Sequence, residues 1–381
     1  MDCRKKFGTI IDIDLSARRI DSREFTEELA LRDLGGFGFN IRFLYENLAK
    51  DTDPLGPGNI LVISLGLLTG TAAPSSSRVH FNALSPLSSL IGSSSVGGYL
   101  GSKLRSLGIA AIIIRGRADS PVYVEFDELG VRLADAGDLW GLDTRETEAR
   151  LREKIGNENI EILSIGTAGE NLVRYACIMA GIDHAAGHTG MGAVMGSKML
   201  KAISVRSVPR HEKCPPQALR EVREYIKAIR NSVSRYNDYS QLGSSGDILE
   251  LNRMGLLGTR NYRSMSLEGA EKIDGRNLKS YVVKNITCPR CAVHCKAEVE
   301  LKEGKYKGFR GGRPEYETVI DLGALCGLTD PDALMYLSNL CNRVGVDTIS
   351  TGSVIAFAMD LYDRGIITRE DTGGIDLTWG N

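Results

Sequence analysis

No long apolar stretch occurs anywhere in the sequence, and its first residues, Met1-Asp2-Cys3-Arg4-Lys5-Lys6, are polar. That argues against a signal peptide and a spanning helix, so no membrane partner is expected. The chain also lacks an excess of charge of either sign, its formal net charge being −1. Nucleic acid and anionic membrane surfaces therefore find no electrostatic counterpart. The default compartment is the cytoplasm, where cysteines stay reduced. Proline is sparse, with 11 residues against 43 glycines. So much glycine in apolar, ordered-looking surroundings predicts tight turns and close backbone approaches rather than low complexity. The rest is ordinary for a globular protein: 381 residues, 42% apolar and 25% charged, enough for two domains.

The pattern along the chain is α+β. Thr9–Leu15 has strand character, and Ser16-Ala17-Arg18-Arg19 supplies a turn before Ile20, so a hairpin opens the chain. Ile60–Leu65, Ala111–Ile114, Pro121–Phe126 and Ile160–Ile165 are further β-rich runs, and Thr144–Ile155 carries the dense Glu/Arg pattern of a helix. Strands and helices do not alternate cleanly, so a doubly wound sheet is not compelled. Val208–Pro216 is polar and proline-bearing, a linker that places a domain boundary near residue 210. Beyond it Leu219, Val222, Tyr225, Ile226 and Ile229 recur at helical spacing, as do apolar residues in Ala333–Val344 and Val354–Tyr362. Residues 1–210 thus read as a mixed sheet-and-helix domain and 211–381 as an α-rich one.

Of eight cysteines, Cys3, Cys177, Cys214, Cys326 and Cys341 stand alone, while Cys288, Cys291 and Cys295 fall in one C-x2-C-x3-C run. Thiolates this close converge on zinc, copper(I) or an iron–sulfur cluster. Zinc and a cubane cluster both want four protein ligands. His294 lies within the run, Cys326 and Cys341 are distant candidates for a fourth ligand, and no second C-x2-C exists for a zinc ribbon. On spacing alone cluster and zinc both stay open.

Three segments rich in glycine and small residues stand out: Gly66–Arg78, Ser93–Gly101 and Ala185–Lys198. Such loops turn backbone N–H groups toward an anion, and a helix starting after one adds its dipole. Arg78 and Lys198 are expected to add positive charge. The third segment spaces its last glycine one residue too far for a dinucleotide fingerprint, so a Rossmann site is rejected. Together the three fit an extended, phosphate-bearing cofactor.

These pieces, with Thr71-Ala72-Ala73-Pro74, Ser85-Pro86-Leu87, Gly166–Asn171, Pro314-Glu315-Tyr316-Glu317 and Gly345–Gly352, resemble the aldehyde:ferredoxin oxidoreductases from about residue 7 onward. The resemblance implies a tungsten or molybdenum atom held by two pterins (molybdopterin) beside a [4Fe–4S] cluster. It implies oxidation of an aldehyde to a carboxylic acid with electron transfer to ferredoxin. Cys288, Cys291 and Cys295 match the first three cluster ligands. Arg78 matches a pterin-contacting arginine, able to fork onto phosphate. Ser95, Gly97, Gly98 and His188 fall in pterin-facing segments. Asn342–Thr348, including Gly345, matches the first pterin loop, with Asp347 placed to accept from ring N–H groups. Glu317 matches an active-site glutamate suited to proton transfer.

Some positions depart from the pattern. Asn342 replaces an aspartate, Ser95 stands where asparagine is common, and His188 where an arginine is common. Tyr336 and Asn339 occupy the positions of a Glu-x-x-His pair that binds iron between subunits, so that bridging iron is not expected, while a homodimer, the family default, stays open. The family continues past residue 381 with a second pterin loop, the fourth cluster cysteine and a catalytic histidine. The expectation is therefore a truncated chain, or one completed by a second polypeptide. The alternatives are a non-catalytic remnant or assembly module, and a related acyl-thioester reductase subunit.

Overall fold

The opening hairpin forms as its alternation predicts: β1 (Thr9–Asp14) pairs antiparallel with β2 (Arg19–Glu24), with Ile13 opposite Ile20. The computed structural model describes residues 7–181, 183–208, 215–232 and 234–381. Contacts divide these into two units: 1–226 with 288–292 and 342–346, and 227–287 with 293–341 and 347–381. The linker expected at 208–216 falls largely outside the described residues, and with it the boundary near 210.

The first unit is built on two six-stranded sheets. One adds β3 (Leu61–Leu65), β4 (Val79–Leu84), β5 (Ile91–Val96) and β6 (Ile109–Arg115), in the order β2-β1-β6-β3-β4-β5. The other holds β7 (Val122–Asp127), β8 (Gly130–Asp135), β9 (Ile160–Ser164), β10 (Ile178–Ala180), β11 (His184–Ala186) and β12 (Leu200–Arg206). Its order is β11-β10-β9-β12-β7-β8. Only β1 with β6 and β7 with β12 run parallel. The helices are α1 (Glu27–Asp33), α2 (Gly36–Asn47), α3 (Leu100–Ser106), α4 (Thr144–Ile155), α5 (Thr167–Glu170) and α6 (Met191–Ser197).

Side chains alternate across each strand, and the alternation sorts them into layers. Ile11, Ile13, Ile63, Phe81 and Ile112 share one core with Val122, Val124, Phe126, Leu163 and Ile203 of the facing sheet. The other face of the first sheet, through Ile10, Val62 and Ile113, packs on Phe39, Phe43 and Leu44 of α2. Tyr123, Ile162 and Ala202 turn the opposite way, onto Leu151 of α4. The order is helix, sheet, sheet, helix. The helix expected at Thr144–Ile155 has those ends, fixed by a reciprocal capping box between Asp143 and Glu146 and closed by left-handed Gly156.

Three lysines lie inside this unit with their amines on main-chain oxygens. Lys198 donates to the carbonyls of Asn59 (2.5 Å) and Gly116 (3.0 Å). Lys201 bonds the carbonyls of Leu142 and Ile165 and pairs with Glu170. Lys103 reaches Asn159 and Ser207. Amines this deep are kept by hydrogen bonds to such carbonyls, since burying a polar group without a partner is costly.

The second unit is mainly helical. Its chain runs through α7 (Pro216–Ser232, shared with the first unit), α8 (Ser234–Leu242), α9 (Ile248–Met254), α10 (Gly275–Leu278), α11 (Tyr316–Thr318), α12 (Pro331–Val344) and α13 (Thr348–Asp363). A small antiparallel sheet joins β13 (Val282–Ile286), β14 (Lys296–Glu300) and β15 (Arg310–Gly312). After α11 the helix widens into a π turn over Val319–Ala324. Tyr336 and Asn339 of α12 serve this unit's own packing. Tyr336 stacks on Tyr306 at 4.5 Å, and the buried Asn339 amide bonds both Gly312 N–H and C=O. No helix among the described residues is long and apolar enough to cross a membrane.

Candidate functional site

Cys288-Pro289-Arg290-Cys291 forms a tight turn of the first unit, closed by Cys291 N–H donating to the Cys288 carbonyl at 3.1 Å. Arg290 holds a positive φ of 55°, and its carbonyl accepts from Ser75 N–H. The turn is seated on the loop between β5 and α3. Gly98 N–H donates to Cys288 Sγ at 3.3 Å, and Ser75 Oγ donates to Cys291 Sγ at 3.8 Å. Glycine at 97 lets the sulfur come close, since a Cβ there would stand 2.9 Å from Cys288 Sγ and the two would have to move apart. His184 of β11 completes this surround, its Nε2 3.8 Å from the same sulfur.

Two thiols, each met by a hydrogen-bond donor and pressed on bare backbone, can supply two of the four thiolates that an iron–sulfur cluster uses. In chemistry these two thiols fit that group as part of its ligand set. Among the described residues, no set of three or more His, Cys, Asp and Glu side chains is gathered closely enough to hold a single metal ion.

Cys295 belongs to the second unit, where its carbonyl accepts from Arg313 Nη2 at 2.7 Å. Arg313 is buried and also bonds the Gln241 carbonyl. The two distant candidates are buried in the second unit. Cys326 is buried on the carbonyls of Asp321 and Gly352, and burial pushes its thiol up to about 12. Burial likewise pushes the Cys341 thiol up to about 11. With no metal bound, such thiols keep their protons.

Arg78 is exposed just ahead of β4, with Nη1 donating to the carbonyl (3.1 Å) and hydroxyl (3.3 Å) of Ser95. Ser93–Val96, read from sequence as part of a loop, is strand β5, with Ser95 opposite His80. Ser94 donates to the Gly187 carbonyl at 2.5 Å and so ties the 187–189 turn to that strand. His188 is exposed on this turn with φ 56°. Arg78, Ser95, Gly97, Gly98, His188, Cys288 and Cys291 thus all belong to the first unit. Lys198 does not serve as an anion-binding cation: its amine is spent on two carbonyls, and α6 before it is buried along its whole length.

The last turn of α12 and the residues after it, 342–346, belong to the first unit. Thr144 Oγ1 donates to the Asn342 carbonyl at 2.9 Å, and Arg343 pairs with Asp143. Gly345 takes φ 79°, and its carbonyl accepts from Cys177 N–H. Asp347 and Thr348 belong to the second unit. Asp347 Oδ2 caps α13 through Ser350 N–H (2.8 Å) and Oγ (2.7 Å). Thr348 Oγ1 lies 2.8 Å from Thr318 Oγ1, next to Glu317.

The two glutamates of Pro314–Glu317 differ in kind. Burial opposes ionisation of Glu315, but Lys296, Ser244 and Arg313 outweigh it and hold the carboxyl below its usual range. Glu317, at the start of α11, is exposed. His184, unlike His188, lies outside the glycine-rich segments of the sequence. No local spacing connects residue 184 to residue 288.

The chain is similar to known proteins along almost its whole length. Residues 10–207 match the model of the aldehyde ferredoxin oxidoreductase N-terminal domain, and residues 220–381 that of domains 2 and 3. The tungsten-containing aldehyde ferredoxin oxidoreductase of Pyrococcus furiosus is 37% identical over 98% of this chain and 62% of its own length. The Pyrococcus horikoshii protein of the same name is 38% identical over 97% of this chain and 60% of its own length. An aliphatic sulfonate oxidoreductase, WOR-like subunit, of Pyrococcus furiosus is 33% identical over 98% of this chain and 62% of its own length. The chain therefore spans about three fifths of the length of these relatives. Among solved structures, the active site complex BamBC of benzoyl coenzyme A reductase superposes with a TM-score of 0.84 at 24% identity. That match covers 97% of this chain and 58% of the other, and it establishes a shared α+β fold. On the strength of both matching models, the chain belongs to the aldehyde ferredoxin oxidoreductase family.

Proposed function

We propose that this chain is the cofactor-holding part of a tungsten- or molybdenum-pterin, iron–sulfur oxidoreductase that oxidises an aldehyde to a carboxylic acid and hands electrons to ferredoxin. The observation that carries the reading is the Cys288–Cys291 turn seated on Gly97-Gly98, in a chain matched along most of its length by tungsten-containing relatives. When bound, the metal–pterin would take two electrons per aldehyde and the cluster would pass them on singly.

In this reading Cys288, Cys291 and Cys295 hold the cluster, and a fourth ligand falls to sequence outside the span shared with the relatives. Residues 1–210 carry most pterin contacts. Arg78, already oriented by Ser95, forks onto phosphate or pterin oxygens. Ser95, Gly97, Gly98 and the exposed His188 line the same approach. Asn342, Gly345, Asp347 and Thr348 form a second contact segment, with Asp347 accepting from ring N–H groups while it caps α13. The oxidation consumes water and releases two protons with the two electrons. Glu317, exposed and not tied up as Glu315 is, accepts one of those protons. The cytoplasm keeps the thiols reduced and supplies ferredoxin.

The test is elemental analysis of the protein purified without oxygen from its host, with any co-purifying polypeptide identified. Aldehyde-dependent reduction of ferredoxin is assayed in the same preparation. About four iron atoms with one tungsten or molybdenum per chain, together with that activity, is the expected outcome. Stoichiometric zinc, or no metal at all, overturns it.

A further inference from the structure

We infer that His184 is a positioning residue that donates a hydrogen bond from its Nε2–H to the sulfur of Cys288 and so raises the reduction potential of the iron–sulfur cluster. The inference rests on the cluster reading above. Three observations within the first unit carry it. The imidazole Nε2 lies 3.8 Å from Cys288 Sγ, a contact between residues 104 positions apart. The same sulfur accepts from Gly98 N–H at 3.3 Å, so a second donor would join one already in place. The ring lies against the Gly97-Gly98 turn, and a Cβ built at either glycine would stand 3.6–3.8 Å from imidazole atoms.

His184 is held by the pairing of β11 with β10, opposite Ala180, so its approach to the cysteine turn is set by sheet register. Sulfur bound to iron is a thiolate and carries no proton, so the neighbouring ring nitrogen can only donate. Donors on a ligand sulfur stabilise the reduced cluster, which bears one more negative charge, over the oxidised one. No proton moves in this account. The imidazole changes where electron transfer is poised, and it touches neither the aldehyde nor the reacting carbon.

The experiment compares wild type, His184→Leu and His184→Gln, each purified anaerobically with its cluster and any co-purifying partner. Iron is assayed first, and the cluster is then titrated with redox mediators under electron paramagnetic resonance. Leucine fills similar space without a donor, whereas glutamine restores an N–H. The expected result is equal iron in all three proteins. His184→Leu should be harder to reduce by about tenfold in the reduced-to-oxidised ratio, about 59 mV for one electron, and His184→Gln should lie nearer wild type. Loss of iron from His184→Leu alone, with His184→Gln at the wild-type potential, also supports a donor role. Unchanged potentials in both variants, or loss of iron from both, overturns it. A wild-type protein without iron removes the cluster reading and this inference together, an outcome the iron assay separates from an unchanged potential.

Discussion

Lys198 shows how far one side chain can depart from the role its neighbours suggest. It ends a glycine-rich segment that looks like an anion cradle, yet its amine is fully buried on the carbonyls of Asn59 and Gly116. Burial pushes its pKa from an ordinary 10.5 down to about 8. The folded state therefore sheds this proton before the unfolded chain does. Between about pH 8 and pH 10.5 the unfolded chain binds the extra proton, and stability rises with pH by up to about 1.4 kcal/mol per unit. Below pH 8 the contribution is constant. In thermal melts, wild type should gain on Lys198→Met as pH is raised from 8 to 10 and run parallel to it below pH 8. Parallel behaviour over the whole range would mean the amine titrates alike folded and unfolded. A burial of this kind is invisible in a string of residues, because both acceptors are main-chain atoms 139 and 82 positions away.

At the scale of elements, what could be read beforehand was what periodicity encodes. β1, β3, β6, β7, β9, α4 and α13 lie where alternation, apolar runs or three-four spacing put them. β5 carries no such signature, because Ser93, Ser94 and Ser95 have little preference for strand. Pairing with β4 and the bonds of Ser94 to the 187–189 turn make it one. The π turn at Val319–Ala324 has no apolar signature of its own either, and such widenings recur at functional sites. It is accommodated by Gly352 of α13, where a Cβ would stand 2.3 Å from the Asp321 carbonyl carbon. Ser353 then reaches Asp321 Oδ1 at 2.8 Å. Gly352→Ala should force the two elements apart and destabilise the second unit by roughly 1–3 kcal/mol, read as a lower urea midpoint. An unchanged midpoint would show that the packing can yield at no cost.

Over the whole molecule, composition and pattern made the α+β class and the cysteine run readable, but not which strands face each other. Sequence order says nothing of β6 lying between β1 and β3, or of His184 beside Cys288. The candidate site was readable as separate motifs, and only the folded chain seats the Cys288–Cys291 turn on Gly97-Gly98. α13 is a second case where the whole decides. Ala356 and Met359 are buried, while Val354 and Phe357 on its other side are 51% and 55% exposed. A helix apolar on both sides leaves surface for an apolar dye. This chain alone should bind such a dye, and Val354→Glu with Phe357→Glu should cut the fluorescence without lowering the melting midpoint. Equal fluorescence in the double variant would place the dye elsewhere.

The three buried lysines can also be regarded as fasteners. Lys198 ties residues 59 and 116 together, Lys201 gathers 142, 165 and 170, and Lys103 joins 159 to 207. They link distant segments as disulfides would, yet they need no oxidant and survive any thiol reductant. A disulfide acts largely by restricting the unfolded chain, whereas these ties vanish on unfolding and contribute only in the native state. Each can open and re-form without chemistry, so the first unit holds its loops together with reversible stitches suited to a setting where cysteine sulfur is wanted for other work.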